Sequence, residues 1–182
     1  MNNSKKQTIL VVDDSPSNIN ILLELLEDYD VIPCLDGKTA IEIVNKENID
    51  LILLDIIMPD VDGFTVCKIL KSDKKNEHIP ILFISAKDSI DDISRGFELG
   101  GVDYITKPFN TIELKCRVDT HLELISYKVH LETKNQELTL LNEKIKEFAK
   151  KEYQSLVDDK NHILPSGNID FTNLIDNITL DK

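Results

Sequence analysis

The sequence predicts an α/β fold, a doubly wound five-stranded parallel sheet, on three observations. Five short runs rich in β-branched residues alternate with longer amphipathic stretches between Thr8 and about Ile125, the rhythm of parallel strands joined by helices. The third run, Leu51-Ile52-Leu53-Leu54, is apolar throughout, as a strand covered on both faces must be. Four of the five runs end on a polar or charged residue.

The first run, Thr8 to Val12, stops at Asp13-Asp14, and Ser15-Pro16 behind it offers a helix cap and a first-turn proline. The helix that follows carries Ile19, Leu22, Leu23 and Leu26. Asp30 to Cys34 reads as the second strand, and Pro33 within it lacks the N–H a ladder needs, which places this strand at a sheet edge. Asp36-Gly37 then opens a helix with Ile41 and Val44 inward. Leu51 to Leu54 is the central strand and ends at Asp55, after which a loop with Pro59 and Gly63 leads to a helix through Leu70. The fourth strand, Ile79 to Ile84, ends at Ser85-Ala86, and a helix from about Ser89 to Leu99 is closed by Gly100-Gly101. The fifth, Val102 to Thr106, ends at Lys107-Pro108, and the last helix starts near Asn110 or Thr111 and meets no proline or glycine before Pro165.

In an open parallel sheet, ligands bind beyond the carboxyl ends of the strands. Asp13, Asp14, Asp55, Ser85 and Lys107 are therefore expected to converge on one rim. Carboxylates packed together raise one another's pKa unless a cation compensates the charge, and hard oxygen ligands in an open site point to Mg²⁺. With the metal and Lys107 balancing that charge, Asp55 can attack phosphorus, because phosphoryl transfer depends on positioning and charge compensation. Ser85 can donate its hydroxyl to a phosphoryl oxygen.

These residues sit in segments that resemble the receiver domains of bacterial two-component response regulators, of the chemotaxis-regulator type, over roughly the first 125 residues. The segments are Val11-Val12-Asp13-Asp14, Asp55-Ile56-Ile57-Met58-Pro59-Asp60-Val61-Asp62-Gly63, Ser85-Ala86-Lys87, and Gly101-Val102-Asp103-Tyr104-Ile105-Thr106-Lys107-Pro108-Phe109, in family order. The resemblance implies the flavodoxin-like strand order 2-1-3-4-5. It also implies that Asp55 is phosphorylated by a sensor histidine kinase or a phosphotransfer protein, and that Asp13, Asp14, Asp55 and the backbone carbonyl of Ile57 hold one Mg²⁺ per receiver. By the same resemblance Lys107 contacts the phosphoryl group, Ser85 and Tyr104 form the switch pair, and Lys107-Pro108 is a cis peptide. Ile57 and Lys87, each two residues beyond a site residue, occupy the positions at which the family tunes phosphate lifetime. The chain would then act chemically only on its own Asp55 and is not an enzyme on other substrates. A phosphatase with an aspartyl nucleophile would need a second acid two residues on, where Ile57 stands. A degenerate, purely structural receiver would have lost one of the acidic, hydroxyl or lysine positions, all of which are present.

Composition narrows the partners. The 182 residues carry a net charge of −12, so no basic surface is available for nucleic acid or anionic lipid. Neither kind of partner is expected. Three widely spaced cysteines, Cys34, Cys67 and Cys116, without a C-x-x-C pair, suit a reducing compartment. No apolar run approaches membrane-spanning length, and the expectation is a soluble cytoplasmic protein. His78, His121, His130 and His162 show no ligand spacing.

The last helix carries two stripes. Val118, Leu122, Ile125 and Val129 are spaced to pack on the sheet. Leu124, Leu131, Leu138 and Ile145 recur every seven residues, with Leu141 and Phe148 three beyond the last two, as in a coiled coil. Tyr127 and Lys134 interrupt the companion positions, and a solvated single helix is the alternative. The expected organisation is a receiver over 1–125 with its core at 7–122, a coiled-coil extension over 126–157 pairing as a parallel homodimer, and a short tail over 158–182 with one short helix at most. The output partner is unspecified.

Overall fold

The computed structural model describes residues 6–108 and 110–159. Five strands and five helices alternate: β1 (Thr8–Val12), α1 (Pro16–Leu25), β2 (Asp30–Cys34), α2 (Gly37–Lys46), β3 (Leu51–Asp55), α3 (Gly63–Ser72), β4 (Ile81–Ser85), α4 (Ile90–Glu98), β5 (Asp103–Thr106) and α5 (Thr111–Asp159). All strand pairs are parallel, and the order is β2-β1-β3-β4-β5. β3 lies at the centre with every residue buried. β2 is an edge strand, with Pro33 opposite Val11, where the missing N–H leaves no inner ladder bond unmade.

Strand side chains alternate between two faces, and the core divides accordingly. Ile9, Val11, Leu51, Leu53, Leu82, Ile84 and Ile105 pack with Ile19, Leu22 and Leu26 after α1 and with Leu114, Val118 and Leu122 of α5. Leu10, Val12, Ile52, Leu54, Ile81, Phe83 and Tyr104 face Ala40 and Val44 of α2 and Phe64, Val66, Cys67 and Leu70 of α3, with Ile93 of α4 partly buried beside them. That two-sided cover is the doubly wound arrangement the apolar β3 run requires.

The helix starts follow their capping residues. Asp36 accepts from Thr39 N–H (2.8 Å), Asp62 from Thr65 N–H (2.7 Å), Ser89 from Asp92 N–H (3.1 Å), and Asn110 from Ile112 N–H (2.8 Å). Ser15 departs from the expected pattern: its side chain makes no capping bond, and Pro16 opens α1 without needing a donor. Gly100, at φ +95°, ends α4 in the left-handed region.

The structure corrects the sheet-facing stripe of α5. Leu114 begins it, Val118 and Leu122 are buried, Ile125 is partly buried, and Val129 is exposed. The stripe starts one turn earlier than its spacing suggested because the helix meets the sheet from its first turn. β4 and β5 also begin later than expected, at Ile81 and Asp103, the positions at which their ladders to β3 and β4 start.

The chain divides into two compact units, Met1–Ser126 and Tyr127–Lys182. The described part of the second is helical, and its Leu131, Leu138, Leu141, Ile145 and Phe148 are each more than half exposed. Lys134, interrupting that face, donates to Glu137 three residues on (2.8 Å). The expected tail over 158–182 lies outside the described residues apart from Asp158 and Asp159, which end α5. No helix among the described residues is long and apolar enough to cross a membrane.

Candidate functional site

The parallel sheet brings its chemistry to one rim because four of its five strands end there in, or run directly into, a polar residue. Asp13 follows β1 directly, and its N–H still bonds Cys34 O at the end of β2 (3.1 Å). Asp55 is the last residue of β3 and stands opposite Ile84. Ser85 ends β4, and its carbonyl accepts from Lys107 N–H (2.8 Å), so the ladder continues past β5 and carries Lys107 to the rim. The Lys107–Pro108 peptide is cis.

Carboxylate oxygens of Asp13, Asp14 and Asp55 lie within 4.8 Å of one another. Asp13 and Asp55 are buried and Asp14 is exposed. The Lys107 ammonium donates to Asp55 Oδ2 at 2.6 Å and to Asp13 Oδ2 at 2.7 Å. Asp55 Oδ1 accepts from Ile57 N–H (3.1 Å), and Asp13 Oδ1 from Ser15 N–H (2.9 Å). Ile57 itself is half exposed, so the rim is open to solvent and to a partner at that point.

The electrostatics follow from this crowding. Burial raises the Asp55 pKa above the ordinary carboxylate value and the charge of Asp13 adds to it, while Lys107 and the Ile57 N–H offset part of the rise. Burial pulls the Lys107 ammonium down, but its bonds to Asp13 and Asp55 outweigh it, and Lys107 is held above the ordinary lysine value. The ammonium therefore stays charged between two buried acids.

Gly63, at the start of α3, allows β3 to end where it does. Its N–H donates to Ile56 O (3.0 Å), and a Cβ there would stand 2.2 Å from Asp55 O. In the intervening loop Asp60 takes φ +63°, a left-handed conformation that aspartate tolerates better than most residues, and the Val61 N–H closes a tight turn onto Pro59 O (2.8 Å).

Ser85 is fully buried, and its Oγ accepts from Lys87 N–H (3.2 Å). Tyr104 is turned inward, 9% exposed, with its hydroxyl donating to Lys87 O (2.8 Å). Its ring stands 6.0 Å from Phe83, which meets Phe64 edge-on at 5.4 Å. Burial raises the Tyr104 pKa, so the phenol is the donor in that bond.

The side-chain candidates from the sequence, Asp13, Asp14, Asp55, Ser85, Tyr104 and Lys107, thus lie at or just behind this rim. Two sets of contacts there have no counterpart in the sequence reading. Asn18, in the first turn of α1, donates its amide to both oxygens of Asp13 (3.0 and 3.1 Å), and its position five residues beyond Asp13 was the available signal. Lys87, read from the sequence only as a position that tunes phosphate lifetime, binds Ser85 through its N–H and Tyr104 through its carbonyl, contacts that no side-chain pattern announces. Among the described histidines, His121 Nε2 lies 3.3 Å from Asp103 Oδ2, away from the acidic rim; His162 lies outside the described residues.

The donor set suits Mg²⁺, since all three carboxylates supply hard oxygens and leave a solvent-facing side through Asp14.

Comparisons with known proteins agree with this geometry. Response regulator PleD of Caulobacter vibrioides is 44% identical over 112 residues, covering 60% of this chain; the chain spans only 25% of PleD. The transcriptional regulatory protein YrkP of Bacillus subtilis is 38% identical over 160 residues, covering 83% of this chain and 67% of that protein. Among solved structures, the Francisella response regulator 1452 receiver domain matches with a TM-score of 0.61 and 34% identity, over 65% of this chain and 98% of that one. The family model for the response regulator receiver domain matches residues 9–119, and the chain belongs to that family of two-component signalling proteins.

Proposed function

We propose that the chain is a phosphorylated switch: a sensor histidine kinase or phosphotransfer protein transfers a phosphoryl group to Asp55, and the altered rim changes how the protein pairs with a second copy or an output partner. The observation that carries this reading is the Lys107 ammonium, 2.6 Å from Asp55 and 2.7 Å from Asp13, inside a cluster of three carboxylates.

Asp13, Asp14, Asp55 and the Ile57 carbonyl would hold one Mg²⁺, which when bound screens the negative oxygens and takes an oxygen of the phosphoryl group. The Asp55 oxygen that attacks phosphorus forms a P–O bond as the P–N bond of the donor phosphohistidine breaks, its electron pair returning to the imidazole. Lys107 holds Asp55 ionised and oriented for that attack. Ser85 then donates its hydroxyl to a phosphoryl oxygen, and Tyr104 follows as the second half of the switch. The chemistry stays on the protein's own aspartate, in keeping with a signalling role in the cytoplasm without nucleic-acid or membrane contact through this receiver.

The exposed face of Leu131, Leu138, Leu141, Ile145 and Phe148 on α5 supports a parallel homodimer through the second unit. Glu137 neutralises the lysine that interrupts it.

Mass spectrometry after treatment with acetyl phosphate and Mg²⁺ tests the acceptor. Wild type gains one phosphoryl mass and Asp55→Asn gains none; an equal gain in both removes Asp55 from its role. Light scattering with and without beryllofluoride tests the dimer, and a monomeric mass under both conditions counts against it.

A further inference from the structure

We infer that Asp92 is a positioning residue of the switch: by pairing with Lys87 it anchors the residue whose backbone N–H and carbonyl are bound by Ser85 and Tyr104, and so sets how firmly a phosphoryl group is held at Asp55. The inference rests on the reading above that Asp55 is the acceptor and that Ser85 and Tyr104 are the switch pair.

Lys87 is gripped at three points. Its N–H donates to Ser85 Oγ (3.2 Å), its carbonyl accepts from the Tyr104 hydroxyl (2.8 Å), and its ammonium reaches Asp92 Oδ1 (3.2 Å). The same ammonium stands 5.5 Å from the centre of the Phe64 ring, which extends the anchor to the first turn of α3. Asp92 is fixed in turn: its second oxygen accepts from Ser89 Oγ (2.6 Å), and its N–H donates back to that oxygen (3.1 Å). One continuous chain of contacts therefore links the start of α4 to both switch residues.

The consequence follows from the capacity of a hydroxyl, one proton and two lone pairs. With the Lys87 N–H on a lone pair of Ser85, the hydroxyl proton is left for an acceptor, and a phosphoryl oxygen is the acceptor that the rim would supply. The inward Tyr104 hydroxyl likewise donates to the Lys87 carbonyl while that carbonyl stays in place. Releasing the ammonium frees the Lys87 backbone to move, and both switch residues lose a fixed partner together.

Asp92 also lies in the first turn of α4, where any acid interacts with the helix dipole. Asp91 is exposed in the same turn and shares that interaction, so it separates the two effects. The Lys87–Asp92 pair is partly exposed, with side-chain accessibilities of 38% and 27%. Pairs of this kind change an equilibrium by roughly two- to fivefold when broken.

The test compares wild type with Asp92→Asn, Asp92→Glu, Asp91→Asn, Lys87→Met and the double variant Lys87→Met/Asp92→Asn. Thermal melts show that each is folded. Mass gain with acetyl phosphate and Mg²⁺ shows that Asp55 still reacts, and calorimetric titration with beryllofluoride in Mg²⁺ reads the grip. Asp92→Asn is expected to keep the mass gain and to bind beryllofluoride roughly two- to fivefold more weakly, with Asp92→Glu recovering most of the loss. Asp91→Asn should match wild type, and the double variant should be no weaker than Lys87→Met alone. Unchanged binding in Asp92→Asn overturns the inference, as does an equal loss in Asp91→Asn or an additive loss in the double variant. If wild type itself neither gains mass nor binds beryllofluoride, the acceptor reading fails, and the inference falls with it.

Discussion

Replacing Lys107 by methionine isolates the charge balance on which the site depends. In the native protein the ammonium makes two short charge-assisted bonds, at 2.6 and 2.7 Å, to acids that are only 5% and 2% exposed. Methionine keeps much of the volume and removes both bonds. Two carboxylates within 4.8 Å then repel by about 3–4 kcal/mol at an effective dielectric of roughly 20. Removing one partner of a buried ion pair costs about 3–5 kcal/mol, so the two estimates agree. Asp55, already raised by burial and only partly offset by Lys107, rises further. An acid whose folded pKa lies above its unfolded value costs stability at pH above the folded pKa, and that cost disappears as acidification protonates it. Urea unfolding followed by circular dichroism should therefore show Lys107→Met less stable by about 3–5 kcal/mol at pH 7 without metal. The deficit should shrink toward pH 5 and on addition of millimolar Mg²⁺, while Lys107→Arg should lose much less. A Lys107→Met protein as stable as wild type at pH 7, or one whose deficit grows on acidification, would refute the reasoning.

Three further outcomes are expected. Gly63→Ala places a methyl 2.2 Å from the Asp55 carbonyl, and the shift this forces should cost about 1–3 kcal/mol in urea unfolding and slow the mass gain with acetyl phosphate; unchanged values would mean that α3 can retreat freely. Asp103 is partly desolvated, yet bonds to Arg117 (2.8 and 2.9 Å), the Tyr104 N–H and His121 hold its pKa below the usual carboxylate value. Its contribution is present above the unfolded pKa of about 3.9 and is lost as pH falls through the folded value, so Asp103→Asn should flatten the acid limb of a stability–pH profile, and a parallel curve would remove the assignment. Burial pushes the Cys67 thiol up to about 11 and raises Cys34, whereas Cys116 is exposed on α5; iodoacetamide on the native protein at pH 8 should label Cys116 alone, as peptide mapping would show.

Much of this fold is legible in one dimension because its strands are buried on both sides. Leu51 to Leu54 could not be solvated on either face, and Pro33 could not sit inside the sheet. The acidic pair, the lone Asp55, Ser85 and Lys107 were legible as a site for a topological reason: parallel strands all end at one rim, so residues at strand ends meet without any need to know the packing. Tyr104 was less secure, since the inward turn of its ring depends on the Lys87 carbonyl (2.8 Å) and on the absence of side chains at Gly96 and Gly101 beside Phe83. The extent of the α5 stripe was misjudged by a turn, because helical spacing repeats along the whole helix and only the sheet's position decides which repeats it covers.

The sequence by itself determined the layer order, the edge strand, the acidic rim and the heptad face, because each follows from periodicity or from a residue type at a strand end. Only the tertiary structure decided that Lys107 sits between Asp13 and Asp55, that Asn18 braces Asp13, and that Lys87 joins Ser85 and Tyr104 through its backbone and Asp92 through its ammonium. Those relations are distances between particular atoms, fixed by how the backbone settles at the rim, and spacing along the chain does not by itself encode them.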